Sequence, residues 1–402
     1  MQQVIVEEPY EFVPPVYGNT WPNIIQLYLK RYLRTAFGVH SVECREVDRL
    51  RATLEAGHGV LLAPNHCRLS DPLTLGILSR EIGRHLHAMA SWHLFKESWL
   101  ANFVLRRMGG FSIYREGLDR TAIDTGVEIL AAARRPLIVF PEGAISRHND
   151  QVMPLMDGTA FVARTAAKRR AKRKDPAGVV VHPIAIRYFF QGDVEETVKP
   201  VLTDLENRLG WFTQEDRPLV DRLRQIGEAL LALKEVEYTG ASKSGDFYHR
   251  AAELIEEVLS KIEQDCGIKE KAVGEVARVK AIRAALLPDM VDRKVTPEER
   301  RRRWNLLATS YYLQQMSHYP PKYVRRSVPN IKEHILETVE RFEEDFTDHA
   351  RIHHPMHVVI EVGEAIAVEG RRPRGGEDPI MSGILDQLTE MLTRLSKEAD
   401  KV

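Results

Sequence analysis

A short buried strand followed at once by a histidine and an aspartate constrains this chain more than any other feature. Val60-Leu61-Leu62-Ala63-Pro64 is a continuous apolar run, and Asn65-His66-Cys67-Arg68-Leu69-Ser70-Asp71 follows it. Residues five apart on an α-helix point about 140° away from each other, so His66 and Asp71 would not share a helix face. Ser70-Asp71-Pro72 indicates a helix N-terminus with proline in the first turn. The stretch therefore predicts a strand, a turn that brings the two side chains together, and a helix.

A histidine beside an aspartate is the smallest general-base pair in proteins. The imidazole takes up a proton near neutral pH, and the carboxylate fixes its tautomer and stabilises the imidazolium. Taken alone, an accidental pair is the commoner explanation of this spacing, because short motifs match by chance. Cys67 beside His66 suggests a nucleophile, but nothing else matches a cysteine hydrolase, so a small buried residue is the favoured interpretation.

Three further stretches give the pair more weight. Gly109-Gly110-Phe111-Ser112-Ile113-Tyr114-Arg115 is a glycine turn and a short apolar strand that ends in arginine. Phe140-Pro141-Glu142-Gly143 follows a second buried strand, Leu137–Phe140, and Val181-His182-Pro183-Ile184-Ala185-Ile186 is a third strand-like run. In this order, the four stretches resemble the four sequence blocks of the glycerolipid acyltransferase superfamily, whose best-known member is the 1-acyl-glycerol-3-phosphate acyltransferase. The resemblance covers roughly residues 20–190.

The blocks match to different degrees. The first block of the family is NHxxxxD and the third is FPEG, and both are present without change. The second block ends in an arginine, which Arg115 matches, and the fourth is matched loosely. In the family FPEG is commonly followed by Thr-Arg-Ser, whereas here Ala144-Ile145-Ser146 follows and Arg147 comes late. Arg68 stands where the family often has a small or polar residue. These differences lie where the acyl acceptor should bind.

The resemblance implies an O-acyltransferase of phospholipid biosynthesis. A fatty acyl group would move from acyl-CoA or an acyl-carrier protein to a hydroxyl of a glycerophosphate-type acceptor, with His66 as general base and Asp71 orienting it. Arg115 would clamp a phosphate, since a guanidinium forks two oxygens in a plane. The other predicted acceptor-binding residues are Glu142, Gly143 and Arg147.

Two alternatives stay open at this stage. The acceptor is another lyso-lipid or a non-phosphate alcohol, or the chain is an inactive lipid-binding or scaffold protein that keeps the fold. No cofactor is expected besides the acyl donor as co-substrate. No metal is expected either, because His353, His354 and His357 do not have the spacing of a recognised ligand set.

Composition places the chain among ordinary globular proteins. It has 402 residues, 44% hydrophobic and 28% charged, with no net charge, so overall charge favours no partner and no nucleic-acid signal is present. Three cysteines form no disulfide framework, which indicates a reducing compartment. The first twenty residues do not resemble a signal peptide, and no apolar run of about 18 residues occurs. We therefore expect a cytoplasmic protein, peripheral on the inner face of the membrane.

The order of the predicted elements indicates an α/β sandwich. Its mostly parallel mixed sheet is flanked by helices, and a large all-α insertion interrupts it. Strand signals stop near residue 200 and return at His357–Val368, where Gly363-Glu364-Ala365-Ile366 resembles a closing element of the acyltransferase domain. The predicted domains are 1–200 and 351–402, which form the acyltransferase domain, and 201–350, the helical insertion. The sequence suggests no internal repeat.

Two stretches are candidates for contact with a membrane or with coenzyme A. Thr20–Phe37 is an amphipathic helix with one apolar stripe (Ile25, Tyr28, Leu29, Tyr32, Leu33 and Ala36), and packing on a core is favoured over an interfacial anchor. The second is a basic run at a predicted helix end, for which a solvated end is the favoured interpretation over anionic headgroups or the phosphates of coenzyme A. Its basic residues are Lys168, Arg169, Arg170, Lys172, Arg173 and Lys174.

Overall fold

A computed structural model describes residues 5–173, 177–269, 272–318, 331–372 and 377–398. The chain divides into two compact units. One consists of Tyr10–Gln191 with His354–Val402, and the other of Met1–Pro9 with Gly192–His353. The predicted bounds of the acyltransferase domain and its insertion stay predictions.

The first unit is built on a sheet whose described strands are β1 (Val39–Arg45), β2 (Gly59–Pro64), β3 (His87–Ser91), β4 (Gly110–Ile113), β5 (Leu137–Ile138), β6 (Val179–Phe190), β7 (Met356–Val362) and β8 (Ile366–Ala367). Their order is β1-β7-β6-β2-β5-β3-β4, and β8 pairs with β6. β6 runs antiparallel to β7 and β8, and the other paired strands are parallel. This confirms the predicted α/β class with a mostly parallel mixed sheet.

In the described ranges, seven α-helices belong to this unit and six to the second. The seven are α1 (Thr20–Phe37), α2 (Val47–Glu55), α3 (Asp71–Glu81), α4 (Trp99–Arg107), α5 (Arg120–Ala132), α6 (Gly158–Lys172) and α13 (Pro379–Ser396). The six are α7 (Val194–Arg208), α8 (Leu219–Thr239), α9 (Phe247–Asp265), α10 (Glu275–Val291), α11 (Pro297–Ser317) and α12 (Ile331–Thr347). Side chains of α5, α6 and α13 bury one face of the sheet against Leu61, Ala63 and Val181. None of the helices in the described ranges is long and apolar enough to cross a bilayer.

Helix α1 has the predicted bounds, but its apolar residues do not form one stripe. Leu29 and Leu33 are buried, whereas Tyr28 and Tyr32 are exposed. The sequence could not show that the leucines are buried and the tyrosines exposed, because a tyrosine occurs both in cores and at interfaces.

Strand β5 is shorter than the apolar run Leu137–Phe140 suggests. The Val139 N–H still donates to the Leu62 carbonyl, 3.0 Å away. Pro141 then ends the pairing, because proline has no N–H to continue the ladder. The third block therefore leaves the sheet as a loop directly beside the end of β2.

The chain leaves the sheet and returns to it at adjacent positions. Phe190, the last residue of β6, pairs with Met356, the first residue of β7. The Gln191 N–H donates to the Pro355 carbonyl at 3.0 Å, just beyond that pair. β7 thus lies in the same sheet as β2, although residues 192–353 separate it from β6 in the sequence.

The helical unit contains a repeated contact that the sequence analysis missed. Three successive helices, α8, α9 and α10, each have a buried arginine in their first turn that pairs with a glutamate of the preceding helix. The pairs are Arg222 with Glu206 and Arg278 with Glu263, each at 2.8 Å from Nε, and Arg250 with Glu235, at 2.9 Å from Nε. Fifteen positions separate the partners in two of the pairs and sixteen in the third. One residue per helix is too sparse a pattern to stand out among the charges of this sequence.

Candidate active site

His66 and Asp71 meet in the turn between β2 and α3. Nδ1 of His66 lies 2.8 Å from Oδ2 of Asp71, and the Arg68 N–H donates to the same oxygen at 2.9 Å. Asp71 is the first residue of α3 and is fully buried. The proline that follows it starts the helix, so the five-residue spacing closes in a turn, as the sequence requires.

The second oxygen of Asp71 is held by a residue that the sequence did not single out. The Tyr188 hydroxyl donates to Oδ1 at 2.7 Å, and the Cys67 thiol lies 3.7 Å from it. Burial, together with the charge of Asp71, raises the pKa of Tyr188 well above its usual value. Tyr188 lies in β6 just after the loosely matched fourth block. Residues two apart in a strand share a face, so the only signal was its alternation with Ile186.

Two asparagine side chains continue the sheet where β2 ends. Asn65 Nδ2 donates to the Ile186 carbonyl at 3.0 Å, and the Ile186 N–H donates to Asn65 Oδ1 at 2.7 Å. Asn149 makes the same pair of bonds with the backbone of Tyr188, at 2.5 and 2.7 Å. An amide presents a donor and an acceptor side by side, as a strand backbone does. The first block and the loop after the third are therefore both fixed to β6.

The ring of His66 is held on its face as well as at its edge. It stacks on Phe140, with ring centroids 4.0 Å apart and an angle of 25° between the planes. The side chain is 15% exposed. Since Nδ1 faces Asp71, Nε2 is the nitrogen left to meet a substrate, and no described residue hydrogen-bonds to it.

Glu142 of the FPEG block holds the loop rather than facing solvent. Its Oε1 accepts the His66 N–H at 2.7 Å, and its Oε2 accepts the Met153 N–H at 3.1 Å. Burial raises the pKa of this carboxyl to about 8, although the two N–H donors favour the charged form. Backbone donors thus reach both oxygens of a side chain that is 2% exposed, and the predicted contact of Glu142 with the acceptor stays a prediction.

Gly143 and Arg115 join the third block to the second. Gly143 has φ +69°, and a Cβ there would lie 2.4 Å from Sδ of Met156, so only glycine fits without movement. The Arg115 guanidinium donates to the Gly143 carbonyl. Arg147, the fourth predicted acceptor residue, is half-buried with φ +57°. Blocks one, two and three thus converge on one loop cluster at the carboxyl ends of β2 and β5, where open α/β sheets bind ligands.

The predicted basic run at the end of α6 is largely occupied within the protein. Arg170 is 3% exposed, and its guanidinium donates to the carbonyls of Ala177, Ala131 and Gly57. It is therefore corrected from a surface contact to a residue that ties loops together. Arg169 and Arg173 both pair with Glu128, and Lys174 lies outside the described residues.

Comparison with known proteins agrees with this geometry. Residues 41–187, from β1 through most of β6, match the family model described as Acyltransferase. These residues form an acyltransferase domain. The resemblance to the glycerolipid acyltransferases is thereby confirmed, and this acyltransferase domain contains His66, Asp71, Arg115 and Glu142. No curated protein was matched to the chain.

Two other kinds of site were considered from the sequence, a cysteine nucleophile at Cys67 and a metal site at the histidines near His357. Cys67 is 1% exposed, and its thiol lies 3.8 Å from the Ile186 carbonyl, as expected of a small buried residue. His357 Nδ1 lies 2.7 Å from the Ser41 hydroxyl. Within the ranges that the structure describes, no three His, Cys, Asp or Glu side chains are grouped so that they could hold a metal ion.

Proposed function

We propose that the protein is an O-acyltransferase that moves a fatty acyl group from acyl-CoA or acyl-carrier protein to a hydroxyl of a glycerophosphate-type acceptor. One observation carries the proposal. Within an acyltransferase domain, His66 is bound through Nδ1 to a buried carboxylate and has Nε2 left for a hydroxyl. This is the arrangement that a general base needs.

The proposed reaction is a direct transfer between two substrates. Nε2 of His66 removes the proton of the acceptor hydroxyl while its oxygen attacks the thioester carbonyl carbon. The C–S bond breaks, the imidazolium returns the proton to the leaving thiolate, and an ester and a free thiol result. Asp71 stabilises the imidazolium in between. No acyl-enzyme is required, because the thioester is already activated and the acceptor is itself the nucleophile.

Arg115 is proposed to bind the acceptor phosphate. One guanidinium nitrogen donates to the Gly143 carbonyl, which fixes the plane of the fork beside the third block. A guanidinium presents its N–H donors in a planar fork that suits two phosphate oxygens. Gly143 and Arg147 would shape the same site through their left-handed backbone, and Glu142 would act indirectly by holding the His66 N–H.

A screen of donors against acceptors tests this function. Purified protein is incubated with acyl-CoA or acyl-carrier protein of several chain lengths, together with lysophosphatidic acid, other lyso-lipids or a non-phosphate alcohol, and the products are identified by mass spectrometry. We expect an ester of the glycerophosphate-type acceptor with the wild type and none with His66→Ala. Preference for a lyso-lipid without the terminal phosphate would overturn the acceptor assignment. No ester with any pair would favour an inactive lipid-binding protein.

The proposed location follows from the substrates. Long acyl chains do not stay in water, so we propose that the protein is cytoplasmic and works at the inner face of the membrane. Exposed Lys168, Lys172 and Arg173 remain candidate contacts for a headgroup or for coenzyme A.

A further inference from the structure

Helix α1 presents a row of large apolar side chains to solvent. Its core side is formed by Pro22, Gln26, Leu29 and Leu33. The exposed residues are Trp21 (42%), Ile24 (43%), Leu27 (74%), Tyr28 (66%) and Tyr32 (53%). At about 100° per residue, these five lie on one side of the helix, adjacent to the core side rather than spread around the axis. Single exposed apolar residues are ordinary, but a contiguous row indicates an interaction surface.

Helix α4 extends the row. None of its residues is buried, and Trp99 and Leu100 are 79% and 53% exposed. The Phe103 ring lies edge-on to Trp21 and to Trp99, with centroids 5.0 and 6.5 Å apart. The exposed residues of α1 together with Trp99, Leu100 and Phe103 thus form one continuous patch, here called the aromatic patch.

The charged side chains within α1 and α4 all have one sign. Lys30, Arg31 and Arg34 of α1 are exposed, and none of them forms an ion pair with any residue in the described ranges. The Arg107 guanidinium lies over the Phe103 and Trp21 rings, 3.7 and 5.5 Å from their centroids. Neither helix contains an aspartate or a glutamate, although the whole chain has no net charge. Cations are therefore concentrated on the two helices that form the patch, and the exposed Glu97 just before α4 offsets only part of this charge.

The geometry points to the aromatic patch as the face that docks on an anionic lipid bilayer. Tryptophan and tyrosine favour the headgroup level, where the ring is half in water, and leucine and isoleucine reach the acyl boundary. Exposed lysine and arginine beside them are attracted to anionic headgroups. A protein partner would equally cover the apolar rings, but the excess of unpaired cations matches a uniformly anionic surface. The inference deepens the proposed function, because it names the surface from which the enzyme would reach its lipid substrates.

Vesicle flotation of the full-length protein tests the docking. Vesicles of pure phosphatidylcholine are compared with vesicles of equal parts phosphatidylcholine and phosphatidylglycerol, at low and high salt. We expect binding that requires the anionic lipid and falls as salt rises. Replacing Lys30, Arg31 and Arg34 with glutamine should weaken it roughly a hundredfold, at about fivefold for each cation. Trp99→Ser with Leu100→Ser should weaken binding at every salt concentration.

The chain offers matched controls for both variants. Arg217→Gln, Arg224→Gln and Lys261→Gln remove the same number of exposed cations from the second unit, and Phe212→Ser removes a side chain that is 95% exposed elsewhere. Neither control should change binding by more than about twofold, since scattered surface charges contribute little. Equal losses in the controls, or no binding at low salt with anionic lipid, would overturn the proposal. So would a dimer in gel filtration that Trp99→Ser converts to a monomer, because the aromatic patch would then face another copy.

A fluorescence measurement locates the contact independently. Lipids brominated near the headgroup should quench the tryptophan emission of the wild type, and Trp21→Phe with Trp99→Phe should abolish most of that quenching. Transfer to a water-soluble acceptor from a short-chain donor, measured without vesicles, should be the same for all these variants. Docking with no transfer would count against the proposed function alone, and transfer with no docking would count against this inference alone.

Discussion

The hydroxyl of Tyr188 lies 2.7 Å from Oδ1 of Asp71. The other oxygen of the same carboxylate faces His66, so Asp71 accepts from a phenol on one side and an imidazole on the other. A buried carboxylate needs such donors, because an unpaired charge in the interior is costly. Tyr188 therefore controls how firmly the carboxylate is held and how much of its charge is available to the imidazole.

Tyr188→Phe is expected to lower kcat by about three- to tenfold and to destabilise the protein by about 1 kcal/mol, the usual contribution of one hydrogen bond. With one donor fewer, the carboxylate attracts the imidazolium more strongly, so the acid limb of the pH–rate profile should move to higher pH. Rates are measured across pH, with Tyr248→Phe as the control. A loss of stability with an unchanged profile would make Tyr188 a packing residue only.

His66→Ala should lower kcat by about a hundredfold or more, the usual range for loss of a general base, with little change in the thermal midpoint. Asp71→Asn should also be severe, because an amide can hold the wrong tautomer of the ring. His249→Ala serves as the control, since that side chain is 73% exposed. Near wild-type turnover by His66→Ala would refute the mechanism.

Arg115→Lys keeps the charge but loses the planar fork. We expect the acceptor KM to rise about tenfold and the donor KM to change little, since only the acceptor carries the phosphate at this site. The exposed Arg120→Lys is the control. Equal changes for both substrates would indicate that Arg115 matters through its bond to the Gly143 carbonyl.

Glu142 predicts a pH-dependent stability. Its pKa is raised from an ordinary value of 4.5 to about 8 in the folded protein, so between these values the folded state binds a proton that the unfolded state has released. This contribution is complete below about pH 4.5 and is lost as pH rises to about 8, at up to about 1.4 kcal/mol per pH unit. Measured by denaturant unfolding, the free energy of unfolding should fall more steeply with pH across this range for the wild type than for Glu142→Gln. The exposed Glu55→Gln should show the same dependence on pH as the wild type. If Glu142→Gln also showed the wild-type dependence, the prediction would be contradicted.

The buried pair of Arg250 and Glu235 should contribute more to the stability of the second unit than an exposed ion pair does. Arg250→Met leaves a fully buried carboxylate without its cation and is expected to cost about 3–5 kcal/mol, whereas Arg250→Met with Glu235→Met should cost much less. Urea unfolding of the wild type, Arg250→Met and the double variant measures these differences in the free energy of unfolding. Lys199→Met, which breaks an exposed pair with Glu195, should cost less than about 1 kcal/mol. If Arg250→Met and Lys199→Met lowered the free energy of unfolding by similar amounts, burial would not determine how strongly an ion pair stabilises this unit.

Local patterns in the sequence predicted the parts of the site that are local. The strand before Asn65, the turn that joins His66 to Asp71 and the proline that starts α3 all lie within a few residues, where backbone preferences act directly. Tyr188 is 117 positions from Asp71, and Asn149 is 39 from the strand backbone that it pairs with. Such contacts depend on the register between strands, which no single segment encodes.

The same limit applies to the surroundings of Glu142 and Arg170. Glu142 is predicted to contact the acceptor, and its bonds to the N–H groups of His66 and Met153 are contacts that a sequence does not reveal. Arg170 belongs to a run of cations that looks uniform, yet its side chain turns inward onto three carbonyls. In both cases the residue type shows that the side chain forms hydrogen bonds, but only the folded structure shows which groups are its partners.

The pairing of Phe190 with Met356 means that a two-residue turn would be enough to join β6 to β7. Residues 192–353 are therefore inserted where two chain ends lie side by side, and the sheet requires only that these two ends stay close together. The entropic cost of closing a loop grows slowly with its length, so the sheet tolerates modules of very different size at this position. An enzyme of this kind could gain, exchange or lose such a module in one event, with His66, Asp71 and Tyr188 left in place.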